Sequence, residues 1–187
     1  MVEILVAHAE AENTILIPPK RILSVGELPE LFYSTQLPFA SKIERIIAWQ
    51  SALEKTKGLW LSQLTKSEQE LGQLSQLSLA ERLDSLWSEL SAAGLSFAQV
   101  AEKTAALCDF GEDQRWSAFV TVFESYLEQL LQSALVDKNY ARHQALASEQ
   151  LVTIDSPLFL LGAVDLNALS KRYLELAATN CVALVQA

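Results

Sequence analysis

From Ser41 onward, apolar residues recur at helical spacing through the middle of the chain, opening with Ile43, Ile46, Ile47 and Leu53 and pausing at Gly58. The run Ser78-Leu79-Ala80-Glu81 has the form of a capping box, in which a hydroxyl and a carboxylate three residues apart satisfy each other's backbone N–H. It predicts a helix start, with Leu79, Leu83, Leu86, Trp87 and Leu90 on the inner face and Gly94 past the end. A second box, Ser96-Phe97-Ala98-Gln99, opens the next helix. The longest stripe joins Trp116, Phe119, Val120, Phe123, Tyr126, Leu127, Leu130 and Leu131, and predicts a helix from about Glu112 to Ala134. Between these, Lys66 to Ser78 is rich in Ser, Gln and Leu and reads as a loop or a weakly held helix.

The two ends of the chain carry a different pattern. Val2 to Glu12 reads as the tail of a helix, and Pro18-Pro19 then breaks two β-rich runs, so a short strand is expected around Ile22 to Val25, ended by Gly26. A short helix is expected from Leu28 to Tyr33, with Pro38 in the loop after it. Beyond Leu151, Pro157 to Gly162 is an apolar run suited to a buried parallel strand, Asn167 caps a helix through Ala178, and Cys181 to Val185 is a second buried strand. Strand, helix, strand makes a βαβ unit. The expected fold is therefore a helix-rich α/β protein, with a partial parallel sheet built from 1–40 and 148–187 and an all-helical insertion over 41–147.

Composition adds limits. The 187 residues are 50% hydrophobic and 20% charged, which suits a globular chain with a full core and no need of a disulfide or metal staple. Two cysteines, Cys108 and Cys181, fit a reduced compartment. No run reaches the roughly 20 apolar residues that span a bilayer, and the start lacks the features of a signal peptide, so a cytoplasmic location without membrane contact is expected. The formal charge of −9 argues against a free-standing nucleic-acid grip, because phosphate contacts need clustered Lys and Arg. The basic residues are dispersed, the nearest groupings being Lys20-Arg21, Lys138 with Arg142, and Lys171-Arg172.

Several chemistries are missing from the pattern. The six glycines, Gly26, Gly58, Gly72, Gly94, Gly111 and Gly162, are scattered and none precedes a lysine, so no phosphate-binding loop is present. No Asp or Glu stands two before a lysine, as a PD-(D/E)xK nuclease requires. Cys108, Cys181, His8 and His143 lie too far apart in sequence for zinc-ligand spacing. A Cys-His nucleophile pair has no local signature, and Cys181, inside an apolar run, reads as an inert buried thiol. Asp155 and Asp165 are candidates for paired carboxylates, but Asp155-Ser156-Pro157 reads more readily as a turn, and Asp165 stands before a helix start, where a carboxylate meets the positive end of the dipole. Trp87 and Trp116 fall on apolar stripes and are expected in the core, while Trp60 is the most open of the four tryptophans and, with Lys20 and Arg21, a weak candidate for DNA contact.

Three stretches, in order, resemble landmarks of superfamily 1 DNA helicases of the UvrD/Rep type. Pro19 to Leu28 looks like the segment where those enzymes write a strand ending in T-F-H-x-L. Ser133 to Tyr140 is similar to the L-D-F-x-D-L that follows a long helix, and Leu160 to Leu169 sits where the family writes V-D-E-x-Q-D-T-N-x-x-Q. The acidic pair that would hold Mg²⁺ is replaced by Leu161-Gly162, the Gln by Val164, and T-F-H by Ser24-Val25-Gly26; Asp165 and Asn167 match. A helicase skeleton that has lost its ATPase residues resembles the AddB-type subunit of helicase-nucleases. The resemblance implies a P-loop-helicase-like core without its P-loop, a 1B-like helical insertion, no catalytic, cofactor or metal residue in this chain, and an origin as an internal fragment. It also implies single-stranded or duplex DNA and a helicase-nuclease partner subunit as partners of the larger protein, which would be an ATP-dependent exonuclease subunit.

The function expected on this basis is a non-catalytic, DNA-guiding domain of a double-strand-break repair protein. The long amphipathic helices and negative charge also suit a helical scaffold with no nucleic-acid role. A small hydrolase or transferase is disfavoured, because no nucleophile, base and orienting group can be named together.

Overall fold

The first regular helix owes its start to Ser41, whose backbone N–H donates to the Glu44 carboxylate at 2.7 Å while Glu44 N donates back to the Ser41 hydroxyl. The computed structural model describes residues 22–57, 73–106, 112–148, 150–162 and 165–184. In chain order it contains α1 (Lys42–Lys55), α2 (Gln73–Ala92), α3 (Phe97–Ala105), α4 (Asp113–Gln132), α5 (Lys138–Ala147), β1 (Leu158–Leu161), α6 (Ala168–Ala177) and β2 (Cys181–Leu184). Ahead of α1, two 3-10 turns cover Val25–Glu27 and Pro29–Leu31. The protein is thus helix-rich with a small parallel sheet of two strands. Among the described residues, no helix is long and apolar enough to cross a membrane.

Helix α1 packs on both α2 and α4, and α3 lies on α4. Their shared core is aromatic. Trp49 of α1 stacks on Tyr126 of α4, with ring centroids 4.0 Å apart and planes 8° from parallel. Trp87 of α2 lies 4.5 Å from Phe123 and 5.8 Å from Phe97. Rings in these arrangements add specific attraction to the large apolar area they remove from water.

A second, smaller cluster joins Leu28, Phe32 and Tyr33 to Ala141 of α5 and to Leu169, Tyr173 and Ala177 of α6. Helix α5 serves both bodies, because Tyr140 packs on the first cluster while Ala141, Ala145 and Leu146 pack in the second. Strands β1 and β2 pair in parallel with Leu158 opposite Cys181 and Leu161 opposite Leu184. The inner residues of β1, Leu158 and Leu160, face the second cluster.

The structure revises several expectations. Ile22 to Val25 is not a strand: the Glu27 carboxylate accepts from both Ser24 N and Ser24 Oγ, and this local box winds Val25–Glu27 into a 3-10 turn that contains Gly26. The Leu28 to Tyr33 helix shortens to the turn Pro29–Leu31. Ser78 does not open a helix; α2 already runs from Gln73, and Gln76, two residues before Ser78, donates to Glu54 of α1. Ile43 and Ile47 point to solvent while Ile46 and Leu53 are buried, so the inner stripe of α1 is narrower than its apolar spacing. Leu131, placed on the stripe of α4, is exposed.

The strands are not buried on both faces. Residues of β1 alternate between half-buried and exposed, and Phe159, Leu161 and Val182 face outward. Cys181, whose strand partner is the half-buried Leu158, is an exposed free thiol, not a buried one. The expected helix over Val2–Glu12, the Pro18-Pro19 break and most of Lys66 to Ser78 lie outside the described residues.

Helices α2 and α4 end alike. After α2, Leu95 N donates to Leu90 O and Gly94 N to Ser91 O, with Gly94 at φ +75°. After α4, Leu135 N donates to Leu130 O and Ala134 N to Leu131 O, with Ala134 at φ +54°. Both are Schellman ends, but the second places a Cβ in the left-handed region that favours glycine. A134G is therefore expected to raise stability by about 1 kcal/mol and G94A to lower it by about as much, since a Cβ at Gly94 meets nothing within 4 Å and only the backbone conformation opposes it. Urea denaturation of the two variants checks the opposite signs.

Candidate functional site

The motif positions singled out in the sequence fall into two places. Leu161 ends β1, and Gly162, Asp165 and Asn167 follow it, at the edge where ligands of open parallel sheets bind. Gly162 sits at φ +63°, in the left-handed region that a glycine adopts without strain. Asn167 has a structural task, its Oδ1 accepting from Ser170 N at 2.8 Å to cap α6. Asp165 is exposed, and Leu161 offers only an apolar side chain. Val25 and Gly26 lie in the first 3-10 turn and Ser24 caps it; the Gly26 carbonyl accepts from Arg142 Nη2 of α5. Lys20, Arg21, Trp60 and Val164 lie outside the described residues.

Two polar constellations that the sequence pattern did not single out hold the two bodies. In the first, Asp137 is buried at the N-terminus of α5. Its carboxylate accepts from Trp87 Nε1 at 2.9 Å, Tyr126 Oη at 2.8 Å and Tyr140 N at 2.7 Å. Arg45 Nε lies 4.0 Å from the same carboxylate and makes a two-pronged pair with Asp84, at 2.8 Å and 3.1 Å. The Asp84 hydrogen bond raises the pKa of Arg45, and burial beside Asp137 pushes the Tyr126 phenol far up. These groups satisfy one another's hydrogen bonds. They tie α1, α2, α4 and α5 together.

In the second, Arg142 grips Glu30 through Nε at 2.7 Å and Nη2 at 2.9 Å, with Lys138 Nζ 3.4 Å away and Tyr33 Oη donating at 3.1 Å. Burial alone would raise the Glu30 pKa, but the Arg142 hydrogen bond and charge outweigh it and hold the carboxyl below its ordinary value. Tyr173 Oη closes the group by donating to the Arg142 carbonyl at 2.7 Å. Lys138 and Arg142, one of the few basic groupings in the sequence, are thus spent inside the fold. Arg45, Lys55, Arg115 and Arg172 likewise pair with Asp84, Glu128, Glu112 and Glu175.

The tryptophans follow the core expectation where they are described. Trp49 and Trp87 are buried, and Trp116 packs half-buried on the first cluster. His143 Nε2 lies 3.2 Å from the buried Ser91 hydroxyl and its ring 5.5 Å from Trp87, while Cys108 lies outside the described residues. Ser91 is closed off from solvent, so this serine and histidine lack the access a nucleophile needs.

Burial lowers the His143 pKa below its ordinary value. The folded state then binds fewer protons than the unfolded one, and stability present above the unfolded pKa of about 6.5 is lost as pH falls toward the folded value. Thermal melts across pH 7.5 to 5.0 are expected to show this fall in the wild type and a flatter profile in H143Q.

Of the residues named from the sequence, the described ones with clear tasks are therefore caps and ties. Asp137 had a signal that points to it, an Asp immediately before a helix at the end of a long apolar stripe. No protein-family model, curated protein or solved structure matches the chain.

Proposed function

We propose that this chain is a non-catalytic, helicase-like domain of a larger cytoplasmic protein that processes DNA double-strand breaks, with a structural and DNA-guiding role beside a helicase-nuclease partner subunit. The observation that carries the reading is the parallel β1, α6, β2 unit. It presents Gly162, Asp165 and the Asn167 cap after the first strand, without an acidic pair, and a helical body precedes it in the chain. Asp137, in the second of the three landmarks, supports the reading from another side, because there the landmark carboxylate has a packing role that would persist after ATPase residues were lost.

The test is a fluorescence-anisotropy titration of single-stranded DNA with the full chain at several salt concentrations, alongside ATP hydrolysis with and without DNA. Salt-dependent binding without hydrolysis is the expected result. DNA-stimulated hydrolysis abolished by changing Asp165 would overturn the non-catalytic reading, and absence of DNA binding at low salt would overturn the DNA-guiding one.

The scaffold reading keeps one specific support: Lys138, Arg142 and Arg45 are neutralised inside the fold, while Phe159, Leu161, Val182, Ile43 and Ile47 stand exposed. Failure to bind DNA at any salt concentration would favour it.

A further inference from the structure

We draw no further inference here: the strongest candidate, the outward apolar face of the β1–β2 ribbon formed by Phe159, Leu161 and Val182, is an unpartnered surface, and nothing in the structure shows what covers it.

Discussion

Replacing Asp137 with alanine is expected to lower folding stability by about 4 kcal/mol, enough to move Tm down by roughly 10 °C in a chain of this length. Trp87 Nε1, Tyr126 Oη and Tyr140 N all donate to this one buried carboxylate, so its removal strands three donors where water does not reach them easily. It also removes the cap of α5 and leaves Arg45 balanced by Asp84 alone. D137N keeps the shape and one acceptor oxygen, so its loss should be about half as large. Urea denaturation followed by far-UV circular dichroism reads both variants, and a loss below 1 kcal/mol for D137A would show that the constellation contributes little.

The second large effect is expected at the stacked rings. W49A removes a fully buried indole that lies flat on Tyr126, and the cavity it leaves is expected to cost about 4 kcal/mol. The two phenylalanine replacements separate packing from hydrogen bonding. Trp49 Nε1 is buried without a hydrogen-bond partner among the described residues, whereas Trp87 Nε1 donates to Asp137. W49F thus loses area but no bond, while W87F loses both and leaves Asp137 short of a donor. W87F is expected to be the more destabilising by about 1 to 2 kcal/mol, although the two indoles are almost equally buried. Equal losses in parallel urea titrations would remove the distinction.

Local signals in the sequence were sufficient where the chain's own neighbours decide the outcome. Ser96 with Gln99, Asn167 before α6 and the long stripe of α4 all produced the elements expected of them. They failed where partners distant in sequence or competing local bonds intervene. Ser78 has the residues of a box, but the helix formers before it and the Gln76 to Glu54 contact extend α2 past it. Ile22 to Val25 has the composition of a strand, yet Glu27 lies close enough to turn the backbone first.

The site was less legible than the fold for a physical reason. The Glu30 to Arg142 pair and the convergence on Asp137 depend on long-range packing, which no periodicity encodes. Cys181 shows the converse: an apolar neighbourhood in sequence does not by itself bury a residue, even one paired with the half-buried Leu158.

Glu30 and Arg142 are separated by 112 positions, with α1 to α4 between them. Packing of α1 to α4 shortens the effective loop between these two residues, so their pairing is favoured after the helices have met rather than directly from the unfolded chain. The order of events during folding follows from this. The aromatic body should condense first and bring α5 within reach of the early turns, so that the segment around Phe32 docks late on a surface already in place. Pulsed hydrogen exchange should then find amides of α1 and α4 protected before those of Leu31 and Phe32. A variant that slows the helical body should delay both.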